Sequence, residues 1–479
     1  MNRSVKVSMI LGKLFLKVDK FSVSLIFLIL LSLFLRIYNL SQGMIFIGDQ
    51  GWFYLSARDL LLNGHIPLVG ITSSHTWLHQ GPLWTYMLSV ALWLFNFNPL
   101  AGACVTILFG TLAMLLMYKL GSIMFSEKIG IIAAALFAVS PLIVTFDRMP
   151  FDPSPIPFFT ILYFYAIFKW LKGSRYFFPL ILFLIAVLYN LELATFTLFI
   201  PFVLFLIYGF TKKESYFQKL LNLKTIIYSL IALILPMIPV IIYDFSNGFK
   251  QTAVFIAWII YKPFSFLIKH SSTGESINLK NIYEFIALNV QQLIFKQSLI
   301  LSMLIFIFSV LFLIYSVIRM KKIKVSNSRL ILLMLLGFSL FGIVINQTPS
   351  AAYLPIIFPF MIFSIALLID ALLKIKKISY LVITIFVLFI SINTYSVIQD
   401  DKNNGFETRL NAVDKVISLT KNKSYNLIGV GAGSQFSTFT MNYEYLLWWK
   451  GHTPSKNRTN LKIYITETPK GIIINKKDD

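Results

Sequence analysis

Apolar runs of roughly 16 to 24 residues, separated by short basic clusters, recur along almost the whole chain and leave few folds open to it. Inside a bilayer every backbone N–H and C=O must be satisfied within the protein, so runs of this length read as membrane-spanning helices. Composition agrees: 57% of residues are hydrophobic and only 13% charged. The expected spans are 21–40, 100–118, 129–146, 155–171, 176–191, 193–210, 225–243, 297–318, 328–345, 351–373 and 378–398. A basic segment precedes the first run and no small-residue cleavage pattern follows it, so that run is expected to be an uncleaved anchor.

Lysine and arginine orient these spans, because basic residues accumulate on the cytoplasmic loops. With the N-terminus inside, the inner loops hold 22 Lys and Arg and the longer outer loops only 7. The asymmetry survives only if the apolar stretch 82–97 does not cross; it is expected to lie against the outer surface. The expectation is a multi-pass plasma-membrane protein with a cytoplasmic N-terminus. The net charge of +22 is spread over six short inner loops, which fits anchoring beside anionic lipid and argues against a nucleic-acid partner. The single cysteine, Cys104, excludes an intrachain disulfide.

Beyond residue 399 charge becomes dense. An amphipathic stretch, 406–420, and β-like runs at 425–430, 461–465 and 471–474 predict a small α/β domain. An odd number of spans places it outside. The expected division is therefore a membrane domain over 1–398 and an extracytoplasmic domain over 399–479. No internal repeat suggests two matched halves.

Of twelve acidic residues before Asp400, eight fall on the outer side: Asp49, Asp59, Asp147, Asp152, Glu192, Asp244, Glu275 and Glu284. That face is the expected working face, since ionisable groups at membrane depth or at helix ends are costly and tend to be functional. The first outer loop reads Gly48-Asp49-Gln50-Gly51-Trp52-Phe53-Tyr54, then Arg58-Asp59, then His79-Gln80-Gly81-Pro82. The next outer loop reads Asp147-Arg148-Met149-Pro150-Phe151-Asp152-Pro153.

These motifs, in this order on a multi-span chain, resemble the GT-C glycosyltransferase superfamily, in particular its protein O-mannosyltransferase and lipid A aminoarabinose transferase branch. Motif content covers roughly residues 20–210. The resemblance implies an all-α polytopic GT-C fold and transfer of a hexosyl or pentosyl group, with inversion, from a polyprenyl-phosphate donor to a protein, lipid or glycan acceptor outside. It also implies an acid in the first outer loop, matched by Asp49, and a second near the end of the third span, matched by Asp152. The aminoarabinose branch carries Glu-Lys-Pro-Pro where this chain has Gln80-Gly81-Pro82-Leu83, so the branch's phosphate-binding lysine is missing at Gly81. Trp448-Trp449-Lys450-Gly451 is similar to the Trp-Trp-Asp signature of oligosaccharyltransferases but lacks its aspartate.

The chemistry needs a carboxylate to take the acceptor proton, and Asp49 is the expected base. A phosphate leaving group needs a cation, for which Arg58, Arg148 and His79 are the candidates. Tyr54, Gln80 and Glu192 are candidate substrate contacts. Each has a plainer reading: Asp49 as a helix N-cap, Asp152-Pro153 as an N-cap followed by proline, Arg58 as the wet face of an interfacial helix, Arg148 as a partner of Asp147, His79 as structural and Glu192 as a solvated turn. No cofactor is expected, and the Asp147 and Asp152 spacing is not that of an Asp-x-Asp metal pair. Rival functions are an ion-coupled secondary transporter and a flippase or polymerase of lipid-linked glycans. A transporter would more often show repeated halves and ionisable groups within spans.

Overall fold

The computed structural model describes residues 20–72, 78–265, 279–320, 324–346, 350–400, 405–421 and 423–478. The basic N-terminal segment, Lys269, Glu275, Lys321 and Lys322 lie outside the described residues. Helices of eight or more residues are α1 (Lys20–Ile37), α2 (Gly48–Asn63), α3 (Leu83–Leu94), α4 (Ala101–Met124), α5 (Glu127–Val139), α6 (Pro141–Arg148), α7 (Ile156–Leu171), α8 (Phe177–Leu191) and α9 (Phe199–Thr211). They continue as α10 (Leu223–Ser246), α11 (Lys250–Ser265), α12 (Leu279–Ile294), α13 (Leu299–Ile318), α14 (Ser328–Asn346), α15 (Phe358–Leu373) and α16 (Ser379–Ile398). The remaining two are α17 (Phe406–Thr420) and α18 (Met441–Trp449).

Among the described residues six helical segments are long and apolar enough to cross a membrane: α4, α9 with the 3-10 turn before it, α10, α13, α14 and α16. The pair α5–α6, bent by 63°, makes a seventh if it is one span. Shorter apolar helices α1, α7, α8 and α15 fall on the other expected runs. α3 has 12 residues, about 18 Å of helix against roughly 30 Å of hydrocarbon, so it is too short to cross. It buries Trp84, Leu88 and Leu92 on one side and exposes Val90, Trp93 and Leu94 on the other, as a helix lying in the interface does.

The bend between α5 and α6 falls at Ser140–Pro141, where proline removes a backbone donor. The sequence reading put Asp147 in the outer loop. It instead occupies the last turn of α6, fully buried, and meets Arg36 at the end of α1 with N–O distances of 2.6 and 2.9 Å. Ser32 and the Ala138 carbonyl take further guanidinium protons. Gly110 on α4 makes the room, since a Cβ there would strike the Asp147 carboxylate. The neighbouring Arg148 guanidinium grips the Leu35 and Tyr38 carbonyls, so two consecutive residues pin the end of α1.

The C-terminal segment forms the expected α/β unit. Strands β1 (Tyr425–Val430), β2 (Leu461–Thr468) and β3 (Gly471–Asp478) lie in that order, β1 parallel to β2 and β2 antiparallel to β3. α18 provides the crossover a parallel pair requires. Leu461, Ile463 and Ile465 point to the buried side, while α17 packs on β3 and α18 on α2.

The buried ion pair leads to a stability prediction. Asp147→Ala strands a buried guanidinium and is expected to cost about 3–5 kcal/mol, whereas Arg36→Met with Asp147→Leu removes both charges and costs less. Thermal unfolding of the three purified proteins tests this; an equal or larger loss in the double variant would contradict it.

Candidate active site

α2 begins with the sequence Gly48-Asp49-Gln50-Gly51, and each of these positions has a distinct task. The Gln50 side chain accepts from the Ile47 N–H at 2.8 Å and closes the helix N-terminus, so the cap is Gln50 rather than Asp49. Gly48 and Gly51, one turn apart, form a notch for the C-terminal domain: a Cβ at either would collide with the Thr438 carbonyl or the Asn442 backbone. Asp49 lies at the edge of this seam, half-buried, and accepts a hydrogen bond from the Thr438 hydroxyl at 2.9 Å. Burial lifts its carboxyl above the usual range, partly offset by that bond.

Asp152 follows α6 in a turn and does not cap a helix; α7 starts at Ile156, and the residue before it is Pro155. Its side chain is buried, and neither carboxylate oxygen accepts a hydrogen bond from another described residue. Burial first, then the negative charges of Glu192 and Asp49, push its carboxyl well above the usual range. Asp152 therefore feels both other candidate acids, although the three come from separate segments.

Glu192, in the turn after α8, is buried rather than solvated. It accepts from the Ala194 N–H at 3.1 Å and from the Gln80 amide at 3.0 Å. Burial raises its carboxyl to about 7 against these bonds. Gly81 follows Gln80 and packs against Asn190; any Cβ at 81 would overlap the Asn190 amide. The residue type at that position is thus dictated by Asn190, and no lysine fits there in this packing. The Gln80 Oε1 and Asn190 Oδ1 atoms are buried without partners.

His79 is held by its backbone. Gln251, at the start of α11, accepts from the His79 N–H at 3.2 Å and donates to its carbonyl at 2.6 Å. Asp244 in turn accepts from the backbone N–H groups of Gln251 and Thr252 at 2.7 and 3.2 Å. The His79 ring packs edge-on to Tyr243, and burial lowers its pKa. Nothing in the sequence near Lys250-Gln251-Thr252 marks Gln251, because the contact spans 172 residues.

Tyr54 is fully buried, its hydroxyl donating to the Pro99 carbonyl and accepting from the Gly102 N–H. Arg58 pairs with Asp59 at 2.6 Å and lies 5.0 Å over the Trp448 ring. Arg148 is committed to the two α1 carbonyls, with its Nε buried and unpartnered. Among the described residues no three His, Cys, Asp or Glu side chains gather as metal ligands.

Beside Glu192 lies an apolar cavity of about 330 Å³, walled by α8, α10 and α11 through Leu188, Tyr189, Met237 and Phe255. Thr195, Asp244 and Gln251 form its polar end. The site thus places an apolar slot beside the buried Glu192 carboxyl.

Residues 79–243 match the family model described as dolichyl-phosphate-mannose-protein mannosyltransferase. No curated protein matches the chain. Among solved structures, ArnT from Cupriavidus metallidurans bound to undecaprenyl phosphate is 9% identical with a TM-score of 0.57, covering 92% of each chain. AglB, the archaeal oligosaccharyltransferase from Archaeoglobus fulgidus, in complex with an inhibitory peptide and a dolichol-phosphate, is 14% identical with a TM-score of 0.54, covering 94% of this chain and 70% of that one. The same oligosaccharyltransferase tethered with an acceptor peptide is matched at a TM-score of 0.51 and 14% identity, over 89% of this chain and only 64% of that protein.

Because the Glu192 carboxyl keeps its proton to higher pH when folded than when unfolded, folding retains one extra proton between about pH 4.5 and 7. Stability from this group is fully present below that window and lost as pH rises through it, by roughly 3 kcal/mol in all. Glu192→Gln is expected to flatten that part of the pH–stability curve by about one proton; an unchanged slope would contradict the buried assignment.

Proposed function

We propose that this chain, which has the fold of the GT-C glycosyltransferase superfamily, transfers a sugar from a polyprenyl-phosphate donor to an acceptor hydroxyl at the outer membrane face. The observation that carries this reading is a buried Asp152, without a hydrogen-bond partner among the described residues and influenced by Glu192 and Asp49, together with an apolar cavity beside Glu192. A prenyl chain suits a slot walled by leucine, methionine and aromatic side chains, and the polar groups at its end suit a sugar phosphate.

The division of labour follows from the environments. Asp49 is the least enclosed of the three and has one hydrogen bond, so it is the group able to shed its proton and act as base. It takes the acceptor hydroxyl proton as that oxygen forms a bond to the sugar C1. The C1–O bond to phosphate breaks on the opposite side, its electron pair leaves on the lipid phosphate, and the anomeric centre inverts. Asp152, kept protonated by burial and its two acidic neighbours, donates a hydrogen bond that orients the sugar. Glu192 and Gln80 hold a second polar contact at 3.0 Å. Of the three cations expected to meet phosphate, we carry forward Arg148, which lies four residues before Asp152 and has a buried Nε without a partner among the described residues. Tyr54 and Arg58 face the C-terminal domain instead, and His79 supports Gln80 through its backbone.

The test is transfer by membranes containing the protein, supplied with a panel of labelled polyprenyl-phosphate hexoses and pentoses. Asp49→Asn is expected to lower transfer by about 10²–10⁴-fold, the range of a general base. Undiminished transfer by the variant would remove Asp49 from the mechanism, and no transfer from any donor by wild type would remove the reading itself.

A further inference from the structure

A second hollow lies outside the acid cluster. It is a polar cleft of about 590 Å³ between α2 and the C-terminal domain, with Trp52, Ser56, Asp59 and His65 on one side and Glu444 and Lys456 on the other. We propose that this cleft is a subsite for the acceptor and that the acceptor is an extended, uncharged glycan chain. The inference rests on the transferase reading above and names the acceptor class for it.

Three observations select this occupant. The first is position: the cleft runs along α2 from Trp52, one turn from Asp49, to Asp59, ten residues or roughly 15 Å from it. An acceptor that fills the cleft while holding its reacting hydroxyl at Asp49 is therefore several units long. The second is charge. Arg58 and Lys456 are balanced by Asp59 and Glu444, so the cleft attracts neither a polyanion nor a polycation. The lining offers donors and acceptors together with the Trp52 side chain, groups suited to the hydroxyls and C–H faces of a sugar. Two of them are already fixed in place: Arg58 by Asp59 and the Trp448 ring, and Glu444 by the Thr440 hydroxyl at 2.6 Å. Fixed polar groups lose little freedom when they bind.

The third observation disfavours an extended peptide. β1 is an edge strand and Leu427 on it lines the cleft, so a peptide could in principle add to the sheet there. The start of that edge is already covered: the Ser455 N–H donates to the Tyr425 carbonyl at 2.8 Å, and the Asn426 side-chain amide holds the same segment through the Ser455 and Asn457 carbonyls at 2.9 and 2.8 Å. The segment that covers it is the one that supplies Lys456.

The experiment measures binding of neutral linear tetrasaccharides of glucose, mannose and N-acetylglucosamine to the full-length protein in nanodiscs, with poly-glutamate and a neutral octapeptide as comparisons. At least one tetrasaccharide is expected to bind, and Trp52→Ala and Ser56→Trp, the latter filling the cleft, are each expected to weaken it at least about tenfold. Absence of tetrasaccharide binding, binding indifferent to Ser56→Trp in a folded protein, or cleft-dependent binding of the peptide or poly-glutamate in its place would each overturn the proposal. Cleft binding without transfer from any donor would instead count against the transferase reading alone.

Discussion

The seating of the C-terminal domain on the first outer helix is the contact on which the rest of the outer face depends. Two glycines one turn apart let backbone approach backbone, and the Thr438–Asn442 stretch fills the gap. The seam is then closed by polar and aromatic contacts: the Asn442 amide donates to the Phe46 carbonyl, and the Tyr445 hydroxyl to the Phe97 carbonyl, while Tyr445 packs edge-on against Tyr54. Asp49 receives its one hydrogen bond across this seam. The environment of the proposed base is therefore set by two parts of the chain that are 389 residues apart.

The seam also accounts for how the outer face is partitioned. On one side of it, Asp152 and Glu192 are buried, Glu192 beside an apolar slot, and burial lets Asp152 feel the charges of Glu192 and Asp49. Across it, the cleft holds balanced charges that are fixed by neighbours and open to a polar ligand. Such a division is what a transferase between a lipid donor and a hydrophilic acceptor requires. Beneath both, the Arg36–Asp147 pair and Arg148 tie α1 to the bent α5–α6 pair, which fixes where the turn carrying Asp152 leaves the membrane domain.

Much of this was legible in the sequence. Apolar run length located the helices of the expected spans, and the β-like runs after residue 420 located all three strands, because both signals are local and periodic; α11 and α12 fall instead in what reads as an outer loop. The acids were legible because carboxylates are rare in so apolar a chain. Their surroundings were not. Asp147 reads as an outer-loop residue until Arg36 is seen beside it, since ion pairs across 111 residues leave no local pattern. Gly81 reads as a missing lysine until Asn190 is found in the space a side chain would need. Asp152-Pro153 has the form of a helix cap, yet the helix begins three residues after that proline, and tertiary burial overrides the local preference. Gln251 had no signal at all.

The most direct test of the central claim is a structure of the protein with a polyprenyl phosphate bound in a lipid nanodisc. Density for the prenyl chain is expected in the cavity between α8, α10 and α11, with the phosphate beyond its Glu192 end on the outer side, toward Arg148. A lipid seated elsewhere, or one with its phosphate at the inner face, would contradict it.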